Sequence, residues 1–299
     1  MSPVLKTAAA SIAMGCLVLG CKWLAADVSS STALFSDALE SMVNVASSGM
    51  AMYALYVGAK PADATHQYGH AKAELISAIA TGAMILVAAL VIFQRALMEL
   101  FDPRPLVPLF GGLGLGLLLN GLAGVINLIW ALVLKRVAKR RHSPALAADA
   151  QHLISDVLTT LGIVVALVGA GLLRWPVLDP LVALGIAAQI TVMGGRTVLA
   201  AISGLLDEAP PPDVTARVQE LVGAHASGAI EAHDFRMRQA GTSSFLEFHL
   251  VVPGAMSVEA AHVICDRIEA ALKREKPGVI VTIHVEPEAK AKHEGVRVR

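Results

Sequence analysis

Six stretches of mostly apolar residues fill the first two-thirds of the chain, near 7–26, 33–58, 75–100, 109–134, 146–172 and 177–203. A helix that crosses the hydrocarbon of a bilayer needs about 20 such residues, so the pattern predicts six membrane spans. The first stretch, after Lys6, has the length of a span and lacks a small-x-small cleavage pattern before Asp27. It is read as a span, not as a removed leader. Past Leu205 the pattern changes. Pro210, Pro211 and Pro212 cannot continue a helix and predict a stop. Residues 213–226 are periodic at helical spacing, with Asp213 as the expected N-cap. Residues 229–238 and 244–252 alternate like strands. A helix is expected over 256–276 with Ser257 as its cap, then a strand over 279–285, then a polar, frayed end over 288–299. The expected fold is a six-helix transmembrane domain over 1–206, followed by a cytoplasmic α+β domain, αββαβ, over 207–299.

Composition sharpens this picture. The 299 residues are 55% hydrophobic and 16% charged, with mean hydropathy +0.63; a soluble domain is about a quarter charged. An ordinary soluble enzyme is excluded on that ground. The formal net charge is zero, which gives no basic surface for nucleic acid. Cys16, Cys21 and Cys265 form no CxxC or even framework, so neither disulfides nor a thiolate zinc site is indicated. The run from Gly111 to Gly116 follows no soluble strand and is read as a place where membrane helices approach closely, not as a phosphate loop. With no nucleotide motif and no nucleophile beside a base, neither an enzyme, an ATP-driven pump nor an organic cofactor is expected. Lys6, Lys60, Lys72, Lys135, Arg136, Lys139, Arg140 and Arg141 collect on one side of the spans, and Arg95, Arg104 and Arg174 on the other. The basic side should be cytoplasmic, which puts both termini inside.

Against this apolar background a few polar residues stand out. Glu40 and Asn44 lie four apart in the second span, and His152 and Asp156 four apart in the fifth, so each pair shares a helix face. Ionisable groups in lipid are costly and usually serve a function. Two carboxylates, an amide and an imidazole from facing helices suit a small divalent cation. The structural alternative is that Glu40 pairs with Lys22 and His152 merely packs. Asp37 and Asp149, three residues before each pair, are expected nearer one end of these faces. A second cluster, Asp63, His66 and His70, falls in the loop after the second span. A third lies in the tail: His233, His249 and His284 on expected strands, Glu286 beside His284, and His262 on the second helix. His142, His225 and His293 are assigned no ligand role.

These motifs resemble the cation diffusion facilitator family, most closely its bacterial zinc/ferrous-iron efflux branch. The pieces that carry the likeness are His152-x-x-x-Asp156, the loop from Pro61 to Glu74, and Ala232-His233-Asp234-x-Arg236 followed by Gln239-x-Gly241. The resemblance spans nearly the whole chain. It implies a homodimer in the bacterial inner membrane that exports divalent metal, Zn²⁺ first, in exchange for protons, and a tail domain of metallochaperone-like fold. It implies a transport site at Glu40, Asn44, His152 and Asp156, a loop site at Asp63, His66 and His70, and a tail site at His233, His249, His262, His284 and Glu286. It also implies an ion pair between Lys72 and Asp207. One departure stands out: the family usually has Asp-x-x-x-Asp or His-x-x-x-Asp on the second span, where this chain has Glu40-x-x-x-Asn44. An amide ligand lowers the site's charge by one and favours harder cations such as Mn²⁺, Fe²⁺ or Co²⁺. Glu286 stands where the branch usually has Asp. The competing readings are a membrane-anchored metal sensor or storage protein, and a carrier of an organic cation.

Overall fold

The computed structural model describes residues 3–102, 111–141, 144–240, 243–292 and 295–297. Arg104, His142, Gly241 and His293, which figure in the sequence reading, lie outside the described residues. Six long helices come first: α1 (Pro3–Ser29), α2 (Thr32–Gly58), α3 (Ala73–Phe101), α4 (Gly112–Arg141), α5 (Pro144–Leu173) and α6 (Leu178–Leu205). At 1.5 Å per residue each is about 40–45 Å long, enough to cross a bilayer. Five are also apolar enough to do so: Ala10–Ser29 of α1, Ala73–Phe101, Gly112–Val137 of α4, Asp149–Leu173 of α5 and Leu178–Leu205. The exception is α2. It is 27 residues long, but Ser36, Asp37, Glu40, Ser41 and Asn44 fall in its first half and lower its hydropathy. The helix that departs from the apolar pattern is thus the one that carries half of the candidate site.

The chain divides into two compact units, residues 1–53 with 77–198, and residues 54–76 with 199–299. In the first, glycines set the closest helix approaches. A β-carbon on Gly116 of α4 would stand 2.7 Å from the Ala25 carbonyl oxygen of α1. On α3 and α6, Gly82 faces Val198 and Gly194 faces Ile85 in the same way. Ser30, in the left-handed region at φ 54°, makes the tight turn from α1 to α2. The exposed amides at the start of α2 are then met by a side chain from α6. Asp179 accepts from the Ala33 amide and the Ser31 hydroxyl, each at 2.8 Å, and from the Thr32 amide at 3.1 Å. A carboxylate at a helix N-terminus both satisfies orphan donors and opposes the helix dipole.

In the second unit the tail folds as α7 (Pro212–His225), β1 (Glu231–Ala240), β2 (Ser243–Val252), α8 (Val258–Glu275) and β3 (Val279–Pro287). The order αββαβ is the expected one. The triple proline, expected as a stop, instead starts α7: Pro211 occupies the N-cap and no side chain caps the helix there. Proline suits a first helical turn because its missing N–H would have no partner anyway; Asp213 is therefore inside the helix, not its cap. Ser257 does cap α8, accepting from the Ala260 amide at 3.1 Å. The expected frayed end is also different, since after a 3-10 turn at Glu288–Lys290 the two-residue β4 (Val296–Arg297) adds to the edge of β1. The sheet order is β3-β2-β1-β4, with β1 antiparallel to β2 and β2 parallel to β3. Leu246, Phe248 and Leu250 of β2 pack with Ile264, Cys265 and Ile268 of α8. Alternation then sends Glu247 and His249 to the other face of the sheet.

Candidate metal sites

In the helical bundle, Asn44, His152 and Asp156 line one small cavity of about 50 Å³, together with Ser11, Ser41, Asn127 and Asp149. Asn44 donates its amide N–H to Asp156 at 3.4 Å, and His152 Nε2 lies 3.9 Å from the same carboxylate oxygen. Glu40 is buried one turn along α2 from Asn44. It is not in the cavity wall, although it lies within electrostatic range of Asp156, Asp37 and Lys22. Three of the four expected ligands are therefore brought together, with Glu40 adjacent. Lys22 does not pair with Glu40; its ammonium is 2.7 Å from Asp37. Asp149 lies at one end of the cavity, where the Ser11 hydroxyl donates to it at 2.7 Å while accepting from the Trp130 indole at 3.0 Å.

The loop cluster is built by a local turn. Asp63 Oδ1 accepts from the amides of Thr65 at 2.9 Å and His66 at 2.7 Å, and from the Thr65 hydroxyl at 2.8 Å. These donors, the His66 amide first, lower the Asp63 pKa to about 2. His66 and His70 sit 3.5 and 3.4 Å from the carboxylate, and their ring centres are 4.4 Å apart. One ligand atom from each of the three residues can meet at a single ion. Gly69, at φ 81°, turns the chain so that His70 faces back to Asp63. Nearby, Lys72 reaches Asp207 at 3.0 Å and Arg238 reaches the same carboxylate at 3.3 Å. The Lys72 hydrogen bond is the main cause that holds Asp207 below the ordinary carboxylate value. The Arg238 guanidinium also lies over the Phe245 ring at 4.1 Å.

The tail sheet aligns three imidazoles. His233 is in register with His249, and His249 with His284, on neighbouring strands. Glu286 lies among them, 3.3 Å from both His233 and His249 and 3.7 Å from His284. His262 is apart: it is exposed on α8, on the other layer of the domain, beside Asp266 at 3.7 Å. Two further residues belong to this site. A bulge between His233 and Arg236 puts Asp234 in the left-handed region at φ 53°, and its carboxylate joins His233 and His249 in a group that can hold one ion. Lys292 bonds Asp234 at 2.6 Å and is the main cause that lowers its pKa. Glu231 is buried and takes the His233 Nδ1 contact at 3.0 Å, which fixes the ring and leaves Nε2 toward Glu286. The spacing of Glu231 and His233, two apart on a strand, is the sequence signal that could have found this orienting contact.

Two family models match the chain: the cation efflux transmembrane domain over residues 8–206, and the cation efflux protein cytoplasmic domain over residues 210–288. The chain belongs to the cation diffusion facilitator family. It is thus a multi-pass membrane protein of a cation efflux family. This cation diffusion facilitator is 39% identical over 277 residues to an uncharacterized transporter of Synechocystis sp., covering 93% of this chain and 88% of the relative. It is 32% identical over 296 residues to the cation-efflux pump FieF of Shigella flexneri, covering 98% and 96%. Among solved structures, CzrB in its zinc form is 48% identical over 29% of this chain and 98% of that one, with a TM-score of 0.28. The metal-bound C-terminal domain of the CzcD transporter from Thermotoga maritima is 28% identical over 27% and 93%, with a TM-score of 0.25.

Proposed function

We propose that this facilitator is a divalent metal/proton antiporter that exports Zn²⁺, or a related divalent cation, from the bacterial cytoplasm. Residues 1–206 form the transport domain, and residues 207–299 form a cytoplasmic domain that binds metal and dimerises. The observation that carries this reading is the cavity shared by Asn44, His152 and Asp156, with Glu40 buried beside it. Ligands of this kind inside an apolar bundle bind a charged substrate more readily than they stabilise a fold. Metal reaches the cavity from the cytoplasmic side and displaces protons; the helices rearrange, and protons from outside displace the metal. His152 carries a proton in the metal-free state because one imidazole nitrogen cannot hold a proton and a metal together. The carboxylates share the remaining charge. The loop and tail clusters bind the same class of ion and regulate or stabilise the homodimer.

The test is metal-dependent proton flux in vesicles reconstituted with the full chain. The vesicle lumen alkalinises on external addition of Zn²⁺, because each metal ion that enters drives protons out, and Asp156→Ala abolishes that flux while eluting from a sizing column like the unaltered chain. Flux retained in Asp156→Ala removes this residue from the site. A membrane-anchored sensor or storage protein would bind metal in its tail and carry none across.

A further inference from the structure

Among the described residues, the most deeply buried cation of the bundle lies outside the ligand set. Lys22 of α1 is 1% exposed, and its ammonium donates to Asp37 of α2, also 1% exposed, at 2.7 Å. The other Asp37 oxygen accepts from the Thr160 hydroxyl of α5 at 3.3 Å. Asp37 precedes Glu40 by one helical turn, and Thr160 follows Asp156 by one turn. The pair therefore sits one layer beneath both halves of the cavity. α4 closes this layer: Gly124 faces Thr160, and Gly116 faces Ala25 and Ser29. Between the two glycines lies Asn120, fully buried, with neither amide atom hydrogen-bonded.

Charge counting gives the layer a meaning. Asp37, Glu40, Asp156 and Lys22 act on one another electrostatically. With Asp149 of the cavity wall they make four carboxylates and one ammonium, so Lys22 offsets one of the four negative charges, and Asp37 is the carboxylate it takes. In a medium of low dielectric each unit of charge at such range changes ion affinity strongly. We propose that Lys22 is a specificity-determining residue of the transport site: by holding Asp37 in an ion pair it withdraws that carboxylate and lowers by one the negative charge that acts on an ion in the cavity. This rests on the reading of Glu40, Asn44, His152 and Asp156 as the transport site.

A purely structural clamp and a charge-setting pair predict different outcomes. For a clamp, neutralising either partner strands one buried charge, and the two single variants suffer alike. For a charge-setting pair they move the site in opposite directions. The experiment measures the KM for Zn²⁺ flux in vesicles containing the full chain, at one fixed pH. Asp37→Asn leaves the ammonium beside two carboxylates and raises KM about ten-fold or more. Lys22→Met exposes the Asp37 carboxylate and lowers KM, with slower release and a lower kcat. Lys22→Met also makes flux more sensitive to competition by Tb³⁺, whereas Asp37→Asn makes it less so. The double variant Lys22→Met with Asp37→Leu restores the charge count and returns KM to within about three-fold of the unaltered value. If Lys22→Met fails to fold, the KM of Asp37→Asn decides: a clamp lowers its Tm in detergent and leaves the KM of the folded protein unshifted, and that result overturns the proposal. Single variants that shift KM in the same direction, or not at all, also overturn it. Absence of Zn²⁺ flux in the unaltered chain overturns the transport reading itself, whereas flux with unshifted KM values overturns only the role of Lys22.

Discussion

Asn44 sets this chain apart from the usual second-span pair, and its position at 3.4 Å from Asp156 makes its identity consequential. An amide oxygen contributes no charge, so Asn44→Asp adds one carboxylate to the cavity. The expected outcome is a changed order of flux rates across Zn²⁺, Fe²⁺, Mn²⁺, Co²⁺ and Cd²⁺, with every KM lowered. An unchanged order would count against the amide as a determinant of selectivity. At the loop, Asp63 has a folded pKa of about 2, lowered from 3.8. A depressed carboxylate contributes above its unfolded value, and the contribution is lost only as pH falls through the folded one. From pH 5 to 8 this group is therefore ionised and open to a metal throughout. Asp63→Ala should lower the zinc bound by the full chain at every pH in that range, and equilibrium dialysis measures it. At this scale the sequence made the ligand types legible but not their partners. Asp37 was readable as a polar residue one turn from Glu40, yet its bond to Lys22 joins two helices. Asp234 was hidden because a bulge, not strand alternation, turns it toward His233.

Among the elements, α2 is the exception to the apolar pattern, and the glycines of α3, α4 and α6 explain how its neighbours pack. Gly116 has the Ala25 carbonyl oxygen and the Ser29 β-carbon, neither of them the far end of a flexible side chain, opposite its missing β-carbon. Gly116→Val therefore has to separate α1 from α4 and should destabilise the bundle by about 1–3 kcal/mol, read as a lower Tm in detergent with the tail intact. Helix positions were legible from period and length, since each span expected from hydropathy corresponds to a helix. The start of α7 was not, because proline breaks a helix in its interior and begins one at its first turn. Nor was β4, whose two residues carry no alternation to read and are fixed only by the edge of β1.

For the whole molecule, the uneven hydropathy of its helices bears on how the protein is made. Asp and Lys each oppose insertion of a lone helix by about 2.5–3.5 kcal/mol at its centre, and α2 by itself falls below the threshold its neighbours clear. Lys22 and Asp37 are only 15 residues apart in sequence, across the tight turn at Ser30, and Trp23 lies against Phe35, with ring centres 6.1 Å apart, beside them. The two helices thus carry opposite charges that meet as soon as the hairpin closes. Insertion of α1 and α2 as one hairpin, its charges already neutralised, is therefore the expected outcome where α2 alone fails, and a translocon insertion assay on the two segments measures it.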